Sequence, residues 1–136
     1  MNFSFNWSAV SGGAPYVTIS TLGIAFNSTS ITRLGNPDRV VVGFDEDQCV
    51  IGVKAYDGDL SIKPYEFSSR IRNGWIRIGC RDFVKYLQTL TNIDFSTSKR
   101  YVGIFDAESS ILIVYVKGEA ESSVDAESGE ESDEYR

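Results

Sequence analysis

Short runs in which apolar and polar residues alternate recur along the first 117 residues of the chain. In Asn2–Trp7 the three aromatic residues occupy every second position, and Tyr16–Ser20, Ile24–Phe26 and Trp75–Ile78 are similar short runs rich in β-forming residues. Alternation with a period of two is typical of a β-strand with one buried face. The pattern therefore predicts four short strands.

Two longer stretches each contain two apolar runs joined by a short polar turn. They are Asp38–Lys54 and Lys99–Lys117, and Phe44–Asp45 in the first occupies the place of Phe105–Asp106 in the second. Paired β-rich runs around a short polar turn indicate a β-hairpin. We therefore predict two hairpins of similar design.

Two helices are predicted between these strands. Asn27 is a suitable N-cap for a helix over Ser28–Leu34, and Gly35 suits the left-handed position after its end. Arg81–Leu90 has apolar residues on one face at helical spacing. Those residues are Phe83, Val84, Leu87 and Leu90.

The connector between the first hairpin and the Trp75 strand has a weaker pattern. Tyr56–Ser69 contains apolar residues at Leu60, Ile62, Tyr65 and Phe67, with spacing that suggests one buried side. We predict that it forms one irregular strand across the domain.

Together these elements predict an α+β domain over residues 1–117, with mainly antiparallel strands and two short helices. Residues 16–55 and 74–117 share the order strand, helix, hairpin, and Arg39 and Arg100 open the corresponding hairpins. Two interpretations stay open: a duplicated unit that forms a small barrel, or a coincidence common among β-rich domains. Unpaired hairpin edges favour a homodimer.

Charge is distributed unevenly along the chain. Gly118–Arg136 has eight carboxylates and one base, a net charge of −7, whereas the preceding residues carry +1. This segment has too few large apolar groups to offset the entropy that it would lose on ordering. We therefore expect a disordered acidic tail over residues 118–136. Its candidate partner-binding residues are Glu127, Glu130, Glu131, Asp133 and Glu134.

The residues available for catalysis are few. The chain has no histidine, which removes Ser-His and Cys-His nucleophiles and the commonest metal ligand, and it has no glycine-rich phosphate loop. We therefore expect no enzyme activity, no cofactor and no metal site. Two unpaired cysteines, and the lack of a signal peptide or a long apolar run, favour a cytoplasmic protein without a membrane segment.

Residues 23–54 resemble the AbrB/MazE-like family of swapped-hairpin bacterial regulators. The resemblance rests on Gly23–Phe26, on the helix from Ile31 to Leu34–Gly35, and on Asp38–Val40 followed by the hairpin to Lys54. It implies a small strand–helix–hairpin unit of the kind also found in uncharacterised bacterial and phage proteins.

The basic residues that bind DNA in that family are mostly absent here. The helix region begins with Asn27 in place of the usual proline, and Arg33 is its only base. The resemblance therefore implies the fold of this half but not DNA binding by it.

The best nucleic-acid candidate lies further along the chain. Arginines can pair with phosphates bidentately and aromatic rings can stack on bases. The alternative is an exposed face whose arginines cover apolar surface with their stems. The candidate residues are Arg70, Arg72, Trp75, Arg77, Arg81 and Lys85.

Two functional hypotheses follow from these features. The first is a non-enzymatic regulatory protein that binds nucleic acid through residues 70–85 and is modulated by the acidic tail. The second is a protein-binding modulator, such as a phage inhibitor, whose tail mimics nucleic acid and engages a basic partner protein.

Overall fold

The computed structural model describes residues 13–116 of the chain. Ten strands, two α-helices and one short 3₁₀ turn (Ser68–Arg70) form this part. The strands are β1 (Tyr16–Ser20), β2 (Gly23–Phe26), β3 (Arg39–Asp45), β4 (Val50–Ala55), β5 (Tyr65–Glu66), β6 (Ile71–Arg72), β7 (Trp75–Gly79), β8 (Lys99–Val102), β9 (Ile104–Asp106) and β10 (Ile111–Tyr115). The helices are α1 (Ser28–Leu34) and α2 (Arg81–Thr91).

The strands form two five-stranded sheets, and every ladder is antiparallel. Sheet I has the order β6-β7-β2-β1-β8, and sheet II has the order β5-β3-β4-β10-β9. The predicted α+β class with mainly antiparallel strands is therefore confirmed. Within residues 13–116, no hydrogen-bonded ladder joins the two sheets into a closed barrel.

The chain passes between the sheets three times, and its sharpest crossing is the one between β8 and β9. Gly103 alone separates β8 in sheet I from β9 in sheet II, and its N–H donates to the carbonyl of Pro15 at 2.7 Å. A Cβ at Gly103 would lie 3.0 Å from Leu112 Cδ1, so the turn is tightly packed. The prediction that Lys99–Lys117 is one hairpin was therefore wrong for residues 99–102, because the bend at Gly103 pairs them with β1.

The two hairpins that do form have matching turns. In the β3–β4 hairpin, Cys49 N–H donates to the Asp45 carbonyl at 2.8 Å; in the β9–β10 hairpin, Ser110 N–H donates to the Asp106 carbonyl at 2.7 Å. Cys49 and Ser110 also share a left-handed backbone, with φ of 60° and 59°. The two hairpins are therefore closed by turns of the same type.

The cap of α1 also ties the helix to β1. Asn27 Oδ1 accepts from the backbone N–H groups of Ser30 and Tyr16, both at 3.0 Å, while Asn27 Nδ2 donates to the Ala14 carbonyl at 2.9 Å. Gly35 ends the helix with φ of 85°. The predicted bounds and both predicted caps of α1 are thus confirmed.

The core lies between the inner faces of the sheets. Phe26, Phe67 and Phe95 are its largest fully buried side chains, and the rings of Phe26 and Phe67 meet edge to face with centroids 5.3 Å apart. From α2, Val84 and Leu87 are buried. Burial of these aliphatic and aromatic groups supplies most of the driving force for folding, at about 1.5–3 kcal/mol per large side chain.

Two details of the predicted core were wrong. Leu90 is 41% exposed, because α2 turns its last apolar position away from the sheets. The connector is not one strand: only Tyr65–Glu66 has strand structure, only Phe67 is buried, and Leu60 is 95% exposed in an irregular loop. The loop therefore buries little of its predicted apolar side.

Glycine is required where β2 meets β7. Gly23 has φ of 157°, and a Cβ there would lie 2.0 Å from the carbonyl oxygen of Ile78. The two backbones can therefore pair only because this position has no side chain.

Two predicted elements lie outside the described residues. They are the Asn2–Trp7 strand and the acidic tail, with its five candidate residues Glu127, Glu130, Glu131, Asp133 and Glu134. No helix within residues 13–116 is long and apolar enough to cross a membrane.

Candidate nucleic-acid interface

The strand β7 places two candidate residues on the outer face of sheet I. Ile76 and Ile78 are fully buried in the core, whereas Trp75 is half-buried and Arg77 is exposed. Because side chains alternate along a strand, Trp75 and Arg77 share the face that points away from the core. This is the arrangement that the alternation in the sequence predicts.

The segment before β7 brings two more arginines close to Trp75 and Arg77. Arg72 is paired with Trp75 in the β6–β7 ladder, and Arg70 Nε donates to the backbone carbonyl of Arg77 at 2.9 Å. Cross-strand partners present their side chains on the same face of a sheet. Four of the six candidates therefore lie together.

The other two candidates lie on a different element. Arg81 and Lys85 are exposed on the first turns of α2, one turn apart, with Asp82 between them. The pKa of the half-buried Tyr65 hydroxyl is raised, first by burial and then by Cys80 and Asp82. The helix thus has both signs of charge near its start, unlike the strand face.

The register of sheet I adds an arginine that sequence reasoning did not select. Arg77 pairs with Ala25, Ala25 with Thr18, and Thr18 with Arg100, so these four residues form one row across the sheet. Arg77 and Arg100 stand at the two ends of this row. The outer face of sheet I is called the arginine face below.

Arg100 is held in place by an aromatic ring. The carbon at the centre of its guanidinium group lies 4.4 Å from the centroid of the Tyr16 ring. Its Nε is buried and has no hydrogen-bond partner among the described residues. A buried donor without a partner is unusual and costs about 1–3 kcal/mol.

The two sheets differ in the charges of their strands. The strands of sheet I contain four bases and no acid, whereas those of sheet II contain two bases and three acids. The bases of sheet I are Arg72, Arg77, Lys99 and Arg100. The arginine face therefore has a positive potential that no carboxylate in its own strands reduces.

The middle of the arginine face has small side chains. Ala25 and Thr18, in the two central strands, are only 4% and 6% exposed, so neither is open to solvent. The long side chains of Arg77 and Arg100 stand at the two ends of this row.

In the sequence, the only feature that drew attention to Arg100 was its match with Arg39, which opens the corresponding stretch of the first half. Arg39, its counterpart, also lies over an aromatic ring, with its guanidinium carbon 4.9 Å from the centroid of Tyr56. The pattern shows that both positions are alike, but only the β1–β8 pairing shows that Arg100 shares a face with Arg77.

Other polar groups of the described residues stabilise turns or are buried. Asp45 accepts from the backbone N–H and the side-chain amide of Gln48, at 3.2 and 3.1 Å, which fixes the β3–β4 turn. Burial raises the pKa of the Cys80 thiol to about 12, so this thiol is protonated at neutral pH. Within residues 13–116 there is no group of three or more potential metal ligands.

Comparisons of the chain with protein-family models, with curated proteins and with solved structures found no match.

Proposed function

We propose that this protein is a non-enzymatic regulatory protein that binds nucleic acid through residues 70–85. One observation carries the proposal: Arg72, Trp75 and Arg77 share a sheet face whose strands contain bases and no acid, and Arg70 lies beside them. Arg81 and Lys85, on the helix that follows, extend the positive segment.

The chemistry of these side chains suits a nucleic acid. Guanidinium groups bind phosphate oxygens through paired N–H donors, and an indole ring offers a flat surface on which any base can stack. A surface of this kind favours contacts with the backbone and with base faces, which carry little sequence information. The bound sequence would therefore vary widely.

The acidic tail modulates this binding in the proposal. Its net charge of −7 exceeds the charge of the four bases in sheet I and has the same sign as a phosphate backbone. The tail therefore competes with nucleic acid for the arginine face, and salt weakens both interactions.

Fluorescence anisotropy with labelled DNA and RNA at low salt tests the proposal on the full chain. The double variant Arg72→Gln/Arg77→Gln is expected to bind about tenfold or more weakly, since each phosphate contact contributes to affinity. The matched control is Lys54→Gln/Lys63→Gln, which removes the same charge from outside the arginine face. Equal binding by the two double variants, or no binding by the native chain, would refute the proposal.

A separate variant tests the tail. Replacing Glu127, Glu130, Glu131, Asp133 and Glu134 by their amides removes five negative charges from the full-length chain. If the tail competes with nucleic acid, affinity at low salt increases and the difference disappears at high salt. Unchanged affinity at low salt would remove the tail from the proposal.

We also propose that the two strand–helix–hairpin units arose by duplication of an AbrB/MazE-like element. The matching turns at Cys49 and Ser110 support this origin. Corresponding strands also pair with each other, β2 with β7 and β4 with β10. A related chain whose segments matching residues 16–55 and 74–117 are clearly identical in sequence to each other would establish the duplication. If each unit instead had its own relatives, unrelated to those of the other unit, the duplication would be excluded.

A second function is favoured by the outer face of sheet II. Ile104 and Tyr115 are 54% and 51% exposed there, and Ile113 lies half-buried beside Ile104. Apolar groups gathered on an open face are typical of protein contacts. The alternative is therefore a protein-binding modulator or homodimer that uses this face, with the acidic tail engaging a basic partner. Sedimentation of Ile104→Lys against the native chain tests self-association.

A further inference from the structure

The outer face of sheet II is crossed by a row of two glycines followed by two isoleucines. Each residue pairs with the next, and the row consists of Gly43 on β3, Gly52 on β4, Ile113 on β10 and Ile104 on β9. It points away from the core, because Leu112, next to Ile113 on β10, is fully buried. Gly43 and Ile104 are exposed, so the row is open to solvent at both ends.

Glycine at position 43 has no evident purpose within the described residues. Its φ is not positive, and the β3–β4 ladder runs without a bulge from Val40 to Asp45. A Cβ at Gly43 would meet no atom within 4 Å. Glycine inside a strand weakens the strand, and it often marks a place where another molecule approaches the backbone closely. Gly43 therefore points to a contact made from outside this chain.

The row is complementary in shape to a second copy of itself. A two-fold axis parallel to the strands, between β4 and β10, would place Ile113 of each copy over Gly52 of the other. The same axis would place Ile104 of each copy over Gly43 of the other. In such an isologous interface each contact occurs twice, and the side chains of facing sheets interdigitate. The isoleucines would thus fill the space above the glycines.

The two neighbouring rows fit the same axis. Tyr115, which is 51% exposed and pairs with Val50, would lie over Val50 of the second copy. In the row on the other side, Lys54 on β4 and Asp106 on β9 stand two strands apart. The axis brings Lys54 of each copy within one strand spacing of Asp106 of the other. The face is therefore complementary to itself in charge as well as in shape.

We propose that the outer face of sheet II binds a second copy of this chain, with Ile104 and Ile113 of each copy over Gly43 and Gly52 of the other. This inference rests on the alternative function given above for sheet II, and it does not depend on nucleic-acid binding. Four strands about 4.8 Å apart, with three outward positions each, give a footprint of roughly 400 Å² per copy. So small an interface forms a weak dimer that exchanges with the monomer.

The first measurement is sedimentation equilibrium of the full-length chain from about 10 µM to 1 mM, where a weak dimer is populated. Gly43→Ile fills the space above Gly43, so self-association is expected to weaken at least about tenfold. The matched control is Gly79→Ile, because Gly79 is also an exposed strand glycine with no atom within 4 Å of its Cβ position, but in sheet I. Gly79→Ile should associate as the native chain does.

The second measurement tests which residues face each other. Ile104→Ala alone leaves a void above Gly43 and should also weaken association. The double variant Gly43→Ile/Ile104→Ala moves the large side chain from one position to the other, so the facing volumes match again. It should recover at least about half of the association constant lost in either single variant, since volume-conserving exchanges are tolerated best. No recovery would show that Gly43 and Ile104 do not face each other and would overturn the proposed arrangement.

The remaining outcomes separate this proposal from the others. A native chain that is monomeric at the highest concentration, or Gly43→Ile associating like Gly79→Ile, would refute the dimer. Either result leaves nucleic-acid binding to be decided by Arg72→Gln/Arg77→Gln. Gly43→Ile should melt at or above the native temperature, because position 43 is exposed and its backbone is regular. Loss of association at a native melting temperature would therefore support the interface rather than report unfolding.

Discussion

The outer faces of the two sheets differ in chemistry although the sheets are alike in size. On sheet I, Arg77 and Arg100 stand at the ends of a row that includes Ala25 and Thr18, and the strands contain no acid. On sheet II, the strands carry charges of both signs, and apolar groups such as Ile104 and Tyr115 are exposed among them. A five-stranded sheet therefore sets where side chains point, while the residues on the outer face determine which kind of partner fits.

The inner faces show no such contrast. Ile24, Ile78, Val53 and Leu112 are all essentially inaccessible to solvent, so both sheets contribute the same kind of aliphatic surface to one core. The folding energy comes mainly from this shared interior. The outer faces were consequently free to differ. The predictions below test whether stability depends on the inner faces and binding on the outer ones.

The largest effect is expected for glycines in the two sheets. Gly23→Ala in sheet I forces a Cβ to 2.0 Å from the Ile78 carbonyl oxygen at a φ that disfavours side chains, so the free energy of unfolding should fall by more than about 2 kcal/mol. Gly43→Ala in sheet II meets nothing within 4 Å. It should raise that free energy by up to about 1 kcal/mol, because alanine loses less backbone entropy. Urea titration of both variants provides the measurement, and equal effects would contradict the packing at the β2–β7 pair.

Alkaline pH should destabilise the fold through Cys80, at the end of β7. The usual thiol pKa is 9.0, and burial raises the pKa of Cys80 to about 12. Above pH 9 the thiol ionises in the unfolded state but stays protonated in the folded state. Its contribution to the free energy of unfolding is therefore fully present below pH 9 and is lost as the pH rises towards 12. The slope is at most about 1.4 kcal/mol per pH unit for one group.

Denaturant titration of Cys80→Ala over this pH range measures the effect. The variant should show a flatter decline than the native chain between pH 9 and 12. Tyr101, whose pKa burial raises to about 12, adds a second loss above pH 10 in both proteins, and Tyr101→Phe removes it. A native slope that survives both substitutions would show that other groups control alkaline unfolding.

A smaller difference in stability is expected when one methylene is removed from a buried position and one from an exposed position. Ile78→Val, at a position with no exposed area in sheet I, should cost about 0.5–1.5 kcal/mol. Ile104→Val, at a position 54% exposed in sheet II, should change stability by less than about 0.5 kcal/mol. Thermal melts of the two variants would contradict the assigned faces if the order were reversed.

The smallest expected change concerns salt. If Arg77 contacts one phosphate of a bound nucleic acid, Arg77→Gln lowers the slope of log affinity against log salt by about 0.7–0.9. Lys54→Gln, on sheet II, should leave the slope unchanged. Equal slopes for both variants would place Arg77 outside the contact with the phosphate backbone.

Local chemistry made much of the fold predictable. The bounds of α1 followed from Asn27 and Gly35, because a side-chain acceptor and a left-handed glycine are determined by adjacent residues alone. The β3–β4 hairpin and the alternation of β7 were equally local. They follow from periodicity in a few consecutive positions.

What the sequence did not reveal depends on contacts between distant residues. The bend at Gly103 could not be distinguished from a continuous strand, since its cause is the packing against Leu112 and the bond to Pro15. Arg100 joined the candidate site only through the pairing of β8 with β1. Leu60 had suitable apolar spacing, but its loop reaches no surface on which to bury it.

The corner at Gly103 has a mechanical consequence. Arg100 in sheet I and Ile104 in sheet II belong to one short extended segment, interrupted by a single buried glycine that is clamped by Pro15 and Leu112. Because Gly103 alone separates the two strands, β8 cannot slide along its axis without displacing the start of β9.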